Sequence, residues 1–87
     1  MKKDDKQKVI NRLNRIEGQV RGLKKMVEEE KYCVDVITQT SSARSALKGV
    51  EDALLESHLS TCVVNQIKSG KQKKAVEEIL KVYKLKK

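Results

Sequence analysis

The chain has no proline, tryptophan or phenylalanine, and among its 87 residues only one histidine, two cysteines, two tyrosines and four glycines. Each scarcity narrows the reading. Without proline and with little glycine, helices are free to run long. With Tyr32 and Tyr83 as its only aromatics, the chain has almost nothing on which unpaired bases could stack. No continuous apolar run approaches membrane-spanning length, so no bilayer-crossing helix is expected. The start, Met1-Lys2-Lys3-Asp4-Asp5, carries no apolar signal core, and the expectation is a cytoplasmic protein. In that compartment two cysteines point to metal or thiol chemistry before a structural disulfide. One histidine and no carboxylate constellation leave little for general acid–base work, so an enzyme is not expected.

What remains is lysine, glutamate, leucine, valine and alanine, a helical composition with 37% charged residues. Eighty-seven residues make a single small domain, 1–87, with a modest core of its own. Hydrophobic content of 38% implies narrow apolar faces that another chain completes. The net charge of +8 and a pI near 9.6 suit a polyanion, most simply nucleic acid.

Hydrophobic spacing divides the chain into three helices. From Asp4 or Asp5 to about Glu30, Val9, Leu13, Ile16, Val20, Leu23 and Val27 step by four and three in a heptad seam. Asp4 and Asp5 suit its N-terminus by capping and by dipole. Gly18 and Gly22 lie inside this helix a turn apart, which suggests close approach of another backbone. The seam loses phase at Glu28-Glu29-Glu30-Lys31-Tyr32. A second helix from about Cys33 to Lys68, roughly 50 Å long at 1.5 Å per residue, carries Val36, Thr40, Ala43, Leu47, Val50 and Leu54 in the same rhythm. Ser69-Gly70 terminates it. A third helix runs from about Lys71 to Tyr83, and Lys84-Leu85-Lys86-Lys87 is expected to fray. Three helices of this kind cannot cover their own seams. The economical assembly is a dimer whose first two helices form an antiparallel four-helix bundle.

The chemistry concentrates in Leu54-Leu55-Glu56-Ser57-His58-Leu59-Ser60-Thr61-Cys62. On a helix, a step of four places His58 and Cys62 on one face, where imidazole and thiolate can close on one soft or borderline metal ion. Free cysteine is often only an apolar filler. The scarcity of such residues, with two of them in register, favours a site. The third candidate ligand, Cys33, is too far along the same helix to join them. It has to come from elsewhere in the fold or from a second protomer, and antiparallel packing brings it toward the partner's His58 and Cys62.

Three segments carry a family resemblance: Arg12-Leu13-Asn14-Arg15-Ile16-Glu17-Gly18-Gln19-Val20-Arg21-Gly22, Ala43-Arg44-Ser45-Ala46-Leu47, and His58-Leu59-Ser60-Thr61-Cys62-Val63. Together they resemble the copper-sensitive operon repressor (CsoR/RcnR) family, in family order and over essentially the whole chain. The resemblance implies an all-α bacterial repressor, a dimer of dimers (homotetramer), that holds double-stranded operator DNA until its effector binds. Its copper branch uses Cys, His and Cys, here Cys33 from one protomer with His58 and Cys62 from the other. The persulfide branch is expected to lack the histidine, and the nickel and cobalt branch adds histidines this chain does not have. The implied effector is therefore Cu(I), and two thiolates with one imidazole make a donor set soft enough to select it. The resemblance also gives Tyr32 and Glu78 roles behind the ligands, Glu78 by bonding the far nitrogen of His58.

No helix-turn-helix or zinc-finger pattern is present, so DNA contact would act through phosphates and duplex shape. The candidate residues are Arg12 and Arg15, by family motif, and Arg44 and Lys48 on the second helix. Two other readings stay open. One is thiol or persulfide sensing through Cys33 and Cys62. The other is a cytosolic copper-binding protein for which DNA is irrelevant.

Overall fold

The chain is seen in a computed structural model that describes residues 1–86. Among these residues there is no strand. The elements are α1 (Lys3–Glu28), α2 (Cys33–Ser57), a π-helical turn (His58–Val63), α3 (Val64–Lys68) and α4 (Gln72–Lys86). The expected all-α class is present, and α2, the π turn and α3 form one unbroken rod where a single long helix was expected.

Helix ends differ in detail from expectation. α1 begins at Lys3, with Lys2 in the extended cap position and no side-chain capping bond. Asp4 and Asp5 therefore lie inside the first turn and act through the helix dipole alone. At the other end, Glu30 N–H donates to the Val27 carbonyl and Lys31 N–H to that of Met26, both at 3.0 Å. This is a Schellman turn, and Glu30 holds its left-handed position with φ 55°. The same two bonds recur after α3, from Gly70 to Ile67 at 3.1 Å and from Lys71 to Gln66 at 2.7 Å, here with glycine at φ 76°. The tail expected to fray is helical through Lys86, while Lys87 lies outside the described residues. Lys86 Nζ reaches Asp52 Oδ1 at 2.7 Å and Glu51 Oε2 at 3.4 Å, tying the end of α4 to α2.

α1 and α2 pack as an antiparallel hairpin that consumes half of each seam. Val9 and Ile16 are buried with Val50, and Ala46 and Ala53 pack against them. Ala43, one heptad before Val50, is buried as well. The alternate positions face outward: Leu13, Val20 and Val27 are 42%, 53% and 63% exposed, and Leu47 and Leu54 are 44% and 40% exposed. Each of these sets repeats every seven residues, so one whole stripe per helix remains uncovered. Within this chain no backbone approaches Gly18 or Gly22; a Cβ would meet only an Arg21 nitrogen, 3.7 Å from Gly18, and nothing within 4 Å of Gly22.

The shape follows. Extents of 56 × 28 × 13 Å describe a slab one helix thick. The radius of gyration is 17.3 Å, against about 12 Å for a compact chain of this length. The accessible surface is 7203 Å², where a folded monomer of this mass exposes about 5,200 Å². The surplus of roughly 2,000 Å² is of the size that obligate interfaces bury.

Candidate functional site

The rod that carries Cys33 also carries His58 and Cys62, and it separates them. Cys33 is the first residue of α2, and His58 lies 25 positions on, about 38 Å at 1.5 Å per residue. Both cysteines are free thiols and exposed. Among the described residues, no three His, Cys, Asp or Glu side chains converge within one chain. The structure thus brings His58 and Cys62 together on one turn and leaves Cys33 at the far end.

That turn is not an ordinary α-helical one. The Ser57 carbonyl accepts the Thr61 hydroxyl at 2.6 Å and the Ser60 hydroxyl at 3.3 Å. Hydroxyls that bond back to a carbonyl one turn earlier loosen and bend a helix. Here the loosening is a full π turn, His58–Val63, whose pairing runs from i to i+5. It begins at His58 and contains Cys62 as its next-to-last residue. Thr61 Oγ1 also lies 3.8 Å from Cys62 Sγ, so one hydroxyl touches both the backbone defect and the thiol.

Behind the histidine stands α4. Glu78 Oε2 faces His58 Nε2 at 3.8 Å, an ion-pair distance longer than a hydrogen bond. With Nε2 turned to the carboxylate, Nδ1 is the nitrogen left for another partner. The other carboxylate oxygen, Glu78 Oε1, accepts Gln66 Nε2–H at 3.0 Å. The pair His58 and Glu78 edges a groove whose apolar walls are Leu54, Leu55, Val82 and Leu85. Tyr32 is exposed and sits far from this cluster as the N-cap of α2, its carbonyl accepting the Asp35 and Val36 N–H groups at 3.0 and 3.2 Å.

The four basic candidates divide into two pairs. Arg12 donates from Nη1 to the Gly49 carbonyl at 3.2 Å, which fixes it across the α1–α2 hairpin. Arg15 shares a groove with it, lined also by Ala46 and Gly49. Arg44 and Lys48 line a different groove, beside Leu85 and Lys86 of α4. Arg12 and Arg15 thus border one groove of the chain and Arg44 and Lys48 another.

Sequence reasoning missed the π turn, Gln66 and the Lys86 tie. A signal existed for two of them. Ser57, Ser60 and Thr61 form a hydroxyl cluster at back-bonding spacings around His58. Gln66 continues the four-residue step from His58 through Cys62, which places it on the same side of the rod.

Known proteins agree with this architecture. The sequence profile described as metal-sensitive transcriptional repressor matches residues 5–84. The copper-sensing transcriptional repressor CsoR of Bacillus subtilis is 49% identical over 80 residues, covering 92% of this chain and 79% of that protein. The copper-sensing transcriptional repressor RicR of Mycobacterium tuberculosis is 51% identical over 65 residues, 75% of this chain and 68% of that protein. Among solved structures, the copper-sensing repressor CsoR with Cu(I) from Geobacillus thermodenitrificans superposes with a TM-score of 0.91 at 40% identity, covering 98% of this chain and 88% of that one. The nickel-responsive transcriptional regulator InrS follows with a TM-score of 0.76 at 35% identity over 90% of this chain and 88% of that one. By profile, by sequence and by fold, this chain belongs to the metal-sensitive transcriptional repressor family.

Proposed function

We propose that this protein is a Cu(I)-responsive transcriptional repressor that holds operator DNA when metal-free and releases it when Cu(I) binds. The observation that carries the reading is the pairing of His58 and Cys62 on one π turn, with Glu78 behind the imidazole and no third ligand in the same chain. Two thiolates and one imidazole are a soft, low-coordinate donor set suited to Cu(I). His58 is the chain's sole histidine, which disfavours the nickel chemistry of the InrS neighbour, since nickel prefers nitrogen-rich sites.

In this reading Cys33 of one protomer completes the site formed by His58 and Cys62 of its partner, in an antiparallel bundle closed along the outward stripes of α1 and α2. The surplus surface and the exposed heptad positions support such an assembly; a tetramer would pair two of these dimers. Cys33 of one chain and His58 and Cys62 of the other would hold Cu(I), which would supply a link between the chains. His58 holds its proton on Nε2 against Glu78 and presents Nδ1, so any shift of the imidazole is felt by α4. α4 in turn ends at Lys86, beside Arg44 and Lys48. Movement of α4 therefore changes the surroundings of one basic pair, while Arg12 stays anchored to Gly49. DNA contact by Arg12, Arg15, Arg44 and Lys48 would be largely to phosphates and strongly salt-dependent. Tyr32, next to Cys33, marks the partner's side of the site.

The test is an anaerobic titration of the reduced protein with Cu(I) against a competing chelator, followed by DNA binding to the promoter region upstream of its own gene. One Cu(I) taken up per chain, with loss of DNA affinity on loading, is the expected result. Coupling is reciprocal, so DNA must weaken Cu(I) binding by the same factor. Uptake without any change in DNA affinity would reduce the protein to a copper-binding module. Absence of uptake, with DNA release by persulfide instead, would move the chemistry to the thiols alone.

A further inference from the structure

Gln66 is placed where nothing in the ligand set requires it. It lies on α3, four residues after Cys62, and its amide nitrogen donates to Glu78 Oε1 at 3.0 Å. Its amide oxygen is buried and has no hydrogen-bond partner among the described residues. The orientation of the amide is fixed by that carboxylate, because turning the oxygen toward Glu78 would set two acceptors face to face. A buried acceptor without a donor is unfavourable, and an apolar side chain of the same shape would remove the cost. The amide thus occupies this position against the preference of its own oxygen. What its nitrogen does for Glu78 is the effect on the other side of the balance.

Glu78 has two oxygens and two neighbours. With Oε1 held by Gln66, Oε2 is the oxygen turned toward His58 Nε2, 3.8 Å away. A glutamate side chain left to itself rotates freely about its last bonds and spends its charge on water. The bond from α3 removes that freedom and leaves one acceptor aimed at the imidazole. The three residues come from the π turn, α3 and α4, so the chain His58–Glu78–Gln66 also crosses the turn that reverses the rod into α4.

We propose that Gln66 is a positioning residue of the sensor. It holds the Glu78 carboxylate so that this carboxylate, rather than water, accepts the Nε2 proton of His58, which keeps Nδ1 available as a donor. The inference rests on the reading of His58 as a ligand, but its consequence exists before any metal is added.

The experiment uses the reduced, metal-free, full-length protein with labelled histidine. The ring resonances of His58 are compared in wild type, Gln66→Met, Glu78→Ala and the double variant. Gln66→Met is expected to move the His58 resonances in the same direction as Glu78→Ala, and the double variant to move them no further than Glu78→Ala alone. The thermal midpoint of Gln66→Met should equal or exceed that of wild type, since methionine removes the orphaned oxygen. In a Cu(I) competition titration the same two single variants should weaken binding by similar factors, roughly tenfold or more. His58 resonances unmoved by Gln66→Met but moved by Glu78→Ala would overturn the proposal. So would additive shifts in the double variant, because Gln66 would then act by a route other than Glu78. If wild type takes up no Cu(I), the ligand reading of His58 falls on that result, and the metal-free resonances still decide whether Gln66 sets Glu78 against the imidazole.

Discussion

The two ends of α2 are built to different standards. At its start, Cys33 follows a Schellman turn held by a strained glutamate, and its thiol is free and exposed. At its end, His58 and Cys62 sit on a π turn stitched by two hydroxyls, backed by a carboxylate that an amide holds in place. The difference assigns work. In the proposed reading, one end offers a bare donor, and the other offers two donors with a mechanical link to α4. About 38 Å of helix lies between them, so neither end can complete the other in the same chain, and the proposed site made of both would be a contact between chains. A metal held there would report on assembly at the bare end and on α4 at the furnished end.

If that division holds, removing a donor from either end has the largest effect. Cys33→Ala and Cys62→Ala should each weaken Cu(I) by more than the ~100-fold that marks the upper range for loss of an outer partner. Competition with a chelator measures both, and a Cys33→Ala protein of near-normal affinity would reduce the site to the furnished end. Next comes Glu78→Ala, which should lower Cu(I) affinity by about 10- to 100-fold while also weakening the response of DNA binding to the metal. An effect on affinity alone would separate ligand support from signal.

Smaller effects test the two turns themselves. Glu30 and Gly70 occupy the same left-handed position in two copies of one motif. Glu30→Gly should stabilise the fold by about 1 kcal/mol and Gly70→Ala should destabilise it by about the same amount, both read from thermal or denaturant unfolding. Equal and small effects of both would mean that the turn before Cys33 is not strained. The smallest effect concerns Lys86. Its hydrogen bond holds the Asp52 carboxyl below the ordinary 3.8, and the same bond raises the Lys86 amine above the ordinary 10.5. A lowered acid contributes stability above its unfolded value and loses it as pH falls through the folded value. A raised base contributes below its unfolded value and loses it as pH rises through the folded one. The stability difference between wild type and Lys86→Ala should therefore be flat between pH 3.8 and 10.5 and shrink beyond both limits. A difference that persists in strong acid would mean that Lys86 acts by packing of its stem.

Much of this was legible in the residues. Heptad steps in α1 and α2 marked the hairpin, Ser69-Gly70 marked the break, and the spacing of His58 and Cys62 marked the turn that carries them. Which half of each seam faces inward was not legible, because Leu13 and Ile16 are equally apolar and only the packing of α1 on α2 distinguishes them. The π turn escaped because periodicity reads α spacing by default, and a local competition between hydroxyl and amide for one carbonyl leaves the apolar pattern unchanged. Helicity of the tail escaped for another reason: Lys84-Leu85-Lys86 reads as a solvated end until Asp52 and Glu51 supply a partner 34 and 35 positions away. Gln66 had the right spacing, but its partner Glu78 is fixed by the reversal at Gly70, which sequence distance does not reveal.

The most direct test of the central claim mixes two defective proteins. Cys33→Ala and Cys62→Ala chains each lack a ligand, and neither alone should bind Cu(I) tightly. After subunit exchange, a dimer containing one of each has one site missing both cysteines and one site with all three ligands intact. Tight Cu(I) uptake should therefore reappear on mixing, limited to one ion per mixed dimer. If mixing restores nothing while the subunits demonstrably exchange, the site does not join the two ends of α2 across chains, and the account is wrong at its centre.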